Sequence, residues 1–305
     1  MSRPRPQSPA APPRLRVEYV EAASPEALLA QSDVLAVFGF GHDAPQIDDP
    51  RWLRVPLQPH GAAPLEVWRA QAPVTHGREG EIAWACDGQL LFGAIEVDEP
   101  AGHTGAGDHS GILMAAEHAY RALTRFIEGS DYPHLLRIWN YLDAITLGDG
   151  DAERYRQFCV GRARGLGTFD TSNLPAATAI GRCDDARRIQ VYWLAARVPG
   201  TPVENPRQVS AYRYPRQYGP QAPSFARAML PPDGSAMPLR RRVPGRSTTR
   251  RSGLASGITL YSARASSRSS ADVPVGPLRT STPRSSAALA RFQHSAASSA
   301  SASKA

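Results

Sequence analysis

The chain has 305 residues and a formal net charge of +7. The positive charge lies at the end of the chain: residues 240–305 carry eleven Arg and one Lys against one acidic residue, Asp272, whereas residues 1–239 sum to −4. A mildly acidic main part gives little support to a nucleic-acid partner. No apolar run approaches the roughly 18–20 residues that a membrane-spanning helix needs, so we expect no membrane partner.

The first half of the chain predicts an arm followed by an α/β segment. Residues 1–14 are rich in Pro and Arg and lack an apolar core, so we expect a disordered arm and neither a signal peptide nor an anchor. Ser24 followed by proline predicts a short helix that ends near residue 30. We expect residues 15–150 to form an N-terminal α/β subdomain. Alternating or compact apolar residues predict strands at 15–20, 34–40, 65–69, 81–86 and 90–97.

The next part of the chain alternates helices with strands. Apolar residues at helical spacing predict a helix over 112–128, and Asp151 is the predicted cap of a second helix over 152–166. This alternation predicts an α+β or α/β fold, and we expect residues 151–239 to begin a second subdomain. The predicted strands of this part are 135–142, 177–180 and 189–197.

Residues 240–305 differ in composition from everything before them. Sixteen of these residues are Ser, no Glu follows Glu204, and no hydrophobic period persists. Such a segment buries too little apolar surface to offset the entropy lost on ordering, so we expect a disordered tail.

A proline-rich loop over 203–226 carries the strongest functional signal. Guanidinium groups beside phenol hydroxyls suit a small molecule that bears carboxylates. A surface loop with packed tyrosines and solvated arginines is the alternative. The loop interleaves three arginines with three tyrosines, namely Arg207, Arg213, Arg216, Tyr212, Tyr214 and Tyr218.

Two further Arg/Tyr clusters favour a shared anion pocket. The predicted strand 135–142 contributes Asn140 and Tyr141, and the predicted helix 152–166 contributes Arg154 from its first turn. Positions i, i+3, i+4 and i+7 lie on one face of a helix. In the second helix these positions are Tyr155, Phe158, Cys159 and Arg162.

The cysteines and histidines predict neither a metal site nor a nucleophile. Cys86, Cys159 and Cys183 are odd in number and lack CxxC spacing, which argues against a disulfide framework or zinc and fits a reducing cytoplasm. Cys159 lies beside Phe158 in mid-helix, where a buried inert thiol is the better interpretation. His118 falls on a helix face and is interpreted as a packing residue. We therefore expect a cytoplasmic protein.

Four segments of the sequence carry a resemblance to one protein family: RIWNYLDAI (137–145), ERYRQFCVGRARGL (153–166), LPAATAIG (174–181) and VENPRQVSAYRYPRQYGPQAPSFARA (203–228). They resemble the chorismatases, a family also described as pteridine-dependent deoxygenase-like. The resemblance runs from about residue 15 to 239. It implies an α+β fold of two subdomains similar to the reactive-intermediate (enamine/imine) deaminase fold, of which the C-terminal one is incomplete here.

The resemblance implies an enzyme that cleaves the enolpyruvyl ether of chorismate and releases pyruvate without a metal or organic cofactor. It implies 3- or 4-hydroxybenzoate as the ring product, for aryl-polyene pigment and ubiquinone pathways, and a homotrimeric assembly. The substrate-binding positions that it implies are Asn140, Tyr141, Arg154, Tyr155, Arg162, Tyr212, Tyr214 and Arg216.

The sequence departs from the family pattern in its catalytic acid. The resemblance implies a glutamate near the C-terminus that protonates the enolpyruvyl methylene, yet no Glu follows Glu204, so the catalytic residue is left unassigned. The composition of 240–305 is typical of a GC-rich gene translated out of frame, and we predict a frameshift near codon 239. A non-catalytic homologue is the second hypothesis. A nucleic-acid or acidic-surface binder using residues 240–251 is the third, and the scarcity of aromatic residues there disfavours it.

Overall fold

The computed structural model describes residues 14–59, 64–102, 110–168, 170–182 and 184–232. Their order of strands and helices confirms the predicted α+β fold class. The helices and strands are β1 (Arg16–Val20), α1 (Pro25–Leu29), β2 (Val34–Phe40), β3 (Trp52–Val55), β4 (Leu65–Arg69), β5 (Thr75–Glu79), β6 (Ile82–Cys86), β7 (Leu90–Asp98), α2 (Ser110–Glu128), β8 (His134–Asp143), α3 (Arg154–Leu166), β9 (Ala176–Arg182), β10 (Arg188–Ala196), β11 (Thr201–Val203) and β12 (Ala228–Leu230).

The strands form two larger sheets and one short ribbon. The six-stranded sheet has the order β5-β6-β7-β10-β8-β9, and the four-stranded sheet has the order β1-β4-β2-β3. Neighbours are antiparallel except for the pairs β8 with β9 and β2 with β3. β11 and β12 pair with each other. The parallel edge of the six-stranded sheet places the polar residues of β8 next to the small residues of β9.

The two faces of the six-stranded sheet are covered by different layers. Along β10 the side chains of Ile189, Val191 and Trp193 pack with α2 and α3, whereas Tyr192 and Leu194 pack against the four-stranded sheet. This alternation is the period of a strand that is buried on both faces. α1 covers the far face of the four-stranded sheet. The order of layers is therefore helix, sheet, sheet and helix pair.

α2 and α3 approach each other closely because two positions of α3 carry no side chain. A Cβ atom on Gly161 would lie 2.1 Å from the carbonyl oxygen of Leu113, and one on Gly165 would lie 2.6 Å from the Cβ of Tyr120. Both distances are shorter than atoms tolerate, so glycine is required at these two positions. The close approach brings the face of α3 that carries Arg162 over the side chains of α2.

The start of α3 differs from the prediction. Asp151 lies in a single 3₁₀ turn, Gly150–Ala152, and α3 begins at Arg154 after the extended residue Glu153. The carboxylate of Asp151 pairs with Arg216 and so does not cap the helix. Tertiary pairing of the side chain explains why a favourable capping residue is not used as a cap.

Four strands escaped prediction: β3 and β5, which show no clear hydrophobic period, and the three-residue strands β11 and β12. β3 has four residues, one of which is the half-buried Arg54. β5 is the sequence THGRE at the edge of its sheet, and four of its five residues are exposed. Such edge strands form because a neighbour offers hydrogen bonds, here β6.

The interpretation of His118 as a packing residue is wrong. About half of its side chain is exposed, and its Nε2 atom lies 2.5 Å from a carboxylate oxygen of Glu81. The next two residues, Ala119 and Tyr120, face the core in its place.

Some predictions concern residues outside the described ranges: the arm through residue 13, Cys183 and the tail 240–305. The division of the chain at residue 150 stays a prediction, and β10 pairs with both β7 and β8 in one sheet. In the described part of the chain, no helix is both long and apolar enough to cross a membrane.

Candidate functional site

A cavity of about 410 Å³ lies beside β8, β9 and α3. This volume is within the range of about 300–1,000 Å³ that small-molecule sites occupy. The small residues of β9 leave room for the cavity at the edge of the six-stranded sheet. Its apolar wall consists of Ile145, Phe158, Ala177, Ala179 and Phe225.

One face of α3 forms the floor of this cavity. Four side chains spaced by three, one and three residues all line it, as expected for a single helical face. They include Arg162, which is buried. The four residues are Tyr155, Phe158, Cys159 and Arg162.

Arg162 is the most unusual group of the cavity. The residue is 4% exposed, and its Nε and Nη2 atoms have no hydrogen-bond partner among the described residues. Its guanidinium carbon lies 5.1 Å from the centroid of the Tyr120 ring. A buried cation without a counter-charge is costly, and a bound carboxylate would supply both the charge and the acceptors.

Asn140 presents a second polar group to the cavity. Its Oδ1 atom accepts a hydrogen bond of 2.7 Å from the Tyr120 hydroxyl, and its Nδ2 atom donates to the Thr178 carbonyl oxygen at 3.0 Å. These two bonds fix the orientation of the amide. One N–H and one lone pair of Asn140 remain for another partner.

The phenol and thiol of the α3 face are not acid–base groups at neutral pH. Burial raises the pKa of Cys159 to about 11, so its thiol stays protonated. Burial is also the main cause that raises the pKa of Tyr155, with a smaller contribution from Cys159. Both groups therefore offer hydrogen bonds and shape to a ligand, and neither is a ready nucleophile.

Among the residues that the structure describes, Glu153 is the one acidic residue that lines the cavity. Its carboxylate lies 3.2 Å from the Nε atom of Arg156. Arg156 also lies 3.8 Å from Asp151, which pairs with Arg216. These four residues form an ionic cluster, here called the rim cluster, next to the cavity.

Five of the eight predicted binding residues do not line the cavity, beginning with Arg154 and Tyr141. Arg154 is fully buried and forms a two-pronged ion pair with Glu99, while its Nε atom donates to the Asp143 carbonyl oxygen at 3.0 Å. Tyr141 lies on the opposite face of β8 from Asn140, with its hydroxyl 3.4 Å from that of Tyr192. Burial raises the pKa of Tyr141 to about 12.

The predicted loop 203–226 contributes Phe225 to the cavity wall, whereas its predicted binding residues Tyr212, Tyr214 and Arg216 do not line the cavity. The ring of Tyr212 lies 5.7 Å from the guanidinium of Arg213. The Tyr214 hydroxyl accepts a hydrogen bond of 3.0 Å from Arg227. Arg216 belongs to the rim cluster through Asp151.

The structure thus brings Asn140, Tyr155 and Arg162 together in one cavity. Sequence reasoning missed the wall residue Phe225 and the supporting residue Tyr120. Tyr120 lies on the buried face of α2, so helical periodicity identifies it as a core residue and gives no sign of its contacts with the site.

Comparisons with known proteins agree on one family. Residues 66–195 match the family model described as chorismatase FkbO/Hyg5-like, N-terminal. A chorismatase from Streptomyces hygroscopicus is 39% identical over 178 residues, which cover 56% of this chain and 48% of that protein. A 3-hydroxybenzoate synthase from the same organism is 37% identical over 175 residues, with coverage of 56% and 48%.

A solved structure supports the same relationship at the level of the fold. The crystal structure of a chorismatase superposes with a TM-score of 0.60 at 33% identity, covering 73% of this chain and 66% of that one. The chain spans about half the length of the curated relatives that it matches.

Proposed function

This chain belongs to the chorismatase family, and we propose that it binds chorismate in the cavity beside α3 and cleaves it with release of pyruvate. One observation carries the proposal: Arg162 is buried in a ligand-sized cavity with Nε and Nη2 unbonded among the described residues. Chorismate carries two carboxylates, and one of them would give Arg162 the counter-charge that its surroundings lack.

The walls of the cavity suit the rest of such a ligand. Phe158, Ile145 and Phe225 offer apolar surface to a six-membered ring. Asn140, with one N–H and one lone pair unused, can bond the ring hydroxyl. The proposed carboxylate anchor and the proposed hydroxyl contact therefore lie on neighbouring elements, α3 and β8.

The second carboxylate of chorismate needs a second cation. The rim cluster holds Arg156 and Arg216, both of which are engaged by the carboxylates of Asp151 and Glu153. These ion pairs are partly exposed and individually weak, so a ligand carboxylate can replace one of them at small cost. We propose the rim cluster as the place where the second carboxylate binds.

Cleavage needs one proton on the enolpyruvyl methylene, and aromatisation of the ring releases one proton. Chorismate thus yields hydroxybenzoate and pyruvate with its atoms balanced. We propose 3- or 4-hydroxybenzoate as the product, supplying pigment or ubiquinone-type pathways. A 3-hydroxybenzoate synthase among the relatives supports the first of these products. The proton donor stays unassigned.

The test is to incubate the purified 305-residue protein with chorismate and to follow pyruvate together with hydroxybenzoates. We expect steady pyruvate release that falls when Arg162 is replaced. A folded protein that neither binds nor turns over chorismate would overturn the proposal.

A second candidate function is binding of chorismate without cleavage. It is favoured by the observation that no Glu follows Glu204 in the 305-residue sequence, whereas the family resemblance implies a glutamate further along as the acid. Calorimetric binding of chorismate without pyruvate release would select this candidate. Binding accompanied by pyruvate release would reject it.

A further inference from the structure

Tyr120 of α2 contacts two cavity residues although it does not line the cavity itself. The residue is fully buried. Its ring centroid lies 5.1 Å from the Arg162 guanidinium carbon, and its hydroxyl donates a hydrogen bond of 2.7 Å to Asn140 Oδ1. One side chain thus joins the cationic group on α3 to the amide on β8.

The ring of Tyr120 supports Arg162 without neutralising it. An aromatic face attracts a cation by its quadrupole, and the attraction is larger away from water. A carboxylate in the same place would satisfy the guanidinium and leave little attraction for a ligand anion. The absence of a side chain at Gly165, where a Cβ would lie 2.6 Å from Tyr120 Cβ, permits this approach of the two helices.

The hydroxyl of Tyr120 determines which way the Asn140 amide faces. Burial raises the pKa of Tyr120, so the hydroxyl keeps its proton and acts as a donor to Oδ1. The Nδ2 atom is then directed to the Thr178 carbonyl oxygen at 3.0 Å. Without the hydroxyl, the amide loses the bond that distinguishes its oxygen from its nitrogen.

We propose that Tyr120 is a positioning residue with two separable roles: its ring places Arg162 for a ligand carboxylate, and its hydroxyl orients Asn140 for a ligand hydroxyl. This inference rests on the proposed function of the cavity as a carboxylate-binding site. Tyr120 thereby determines whether the cavity discriminates between ring acids with and without a hydroxyl group, although Tyr120 itself contacts neither kind of acid.

Calorimetric titration of benzoate and 3-hydroxybenzoate tests the two roles. Tyr120→Phe keeps the ring, so we expect about 5- to 10-fold weaker binding of 3-hydroxybenzoate and a smaller change in benzoate affinity, since the hydroxyl also interacts with Arg162. Tyr120→Leu removes both roles, so both affinities should fall by about 10-fold or more. Equal losses for both ligands in Tyr120→Phe, or no loss in either variant, would overturn the inference.

A measurement without ligand separates this inference from the proposed function. In the NMR spectrum the Arg162 Nε–H proton should be shifted upfield by the Tyr120 ring, and the shift should persist in Tyr120→Phe. The Asn140 side-chain amide should exchange faster with solvent in Tyr120→Phe. If the Arg162 and Asn140 signals change as expected but the wild type binds neither acid, the proposed function is wrong and the positioning role of Tyr120 is supported. If Tyr120→Phe leaves the Asn140 amide unchanged, the positioning fails.

Discussion

At the scale of single residues, the proposed binding of chorismate depends most on Arg162. Replacing it by Met removes a charge that is buried without an acidic partner in the described structure. We expect chorismate affinity to fall by about 10-fold or more, since a hydrogen bond to a charged group contributes about 1.5–3 kcal/mol. The free energy of unfolding should stay equal or rise. Arg164→Gln, two residues along α3 and more than half exposed, is the matched control and should change neither quantity.

The ion pair of Arg154 with Glu99 predicts a structural role for a residue that the family resemblance suggests as a ligand contact. Both side chains are fully buried. Glu99→Gln alone should lower the free energy of unfolding by about 3–5 kcal/mol, because it leaves an unpaired buried charge. Combining Glu99→Gln with Arg154→Met should recover part of that loss. Chemical denaturation of the wild type and the two variants measures both effects, and a double variant less stable than the single one would contradict them.

Glu66 predicts a dependence of stability on pH. Its carboxylate accepts a hydrogen bond of 2.7 Å from Trp68 Nε1, and burial raises its pKa above the ordinary value. The folded state therefore holds this proton more tightly than the unfolded state, so stability is lost as pH rises through the raised pKa. The melting temperature of Glu66→Gln should rise relative to that of the wild type as the pH increases above about 4, the ordinary pKa of a glutamate. A constant difference would contradict the raised pKa.

At the scale of elements, the contact between α2 and α3 depends on glycine. Gly161→Ala would bring a methyl group to 2.1 Å from the Leu113 carbonyl oxygen, so the helices must separate. We expect a loss of about 2–4 kcal/mol in the free energy of unfolding, comparable to a severe core substitution. Gly129→Ala, where the nearest atom is 3.5 Å away, should be nearly neutral. Equal stability of the two variants in denaturant titrations would show that α2 and α3 can move apart without loss of stability, and would contradict the prediction.

Sequence reasoning succeeded where one period governs an element. The face formed by Tyr155, Phe158 and Arg162 follows from helical spacing alone, and these residues line one cavity. It failed where tertiary contacts decide, as at Asp151, whose carboxylate pairs with Arg216 and so leaves the helix uncapped. The role of Tyr120 was also out of reach, because a buried tyrosine on a helix face gives the same signal as any core residue.

At the scale of the whole molecule, two sheets and a helix pair hold the cavity at an edge of the six-stranded sheet. The strands that carry it, β8 and β9, are parallel neighbours, and β8 is anchored to the sheet centre through β10. Binding residues on such supported elements keep their geometry better than residues on free loops. The frameshift near codon 239 stays a prediction. A glutamate-bearing continuation in one of the other two reading frames of the gene would support it, and its absence from both would refute it.

The central claim is that the Arg162 cavity binds chorismate. Calorimetric titration of chorismate into the wild type and Arg162→Met, with pyruvate assayed in the same samples, tests it most directly. We predict saturable binding to the wild type, at least about 10-fold weaker binding to the variant, and pyruvate released in proportion to the bound fraction. Equal affinity for the two proteins, or no binding by a folded wild type, would contradict the claim.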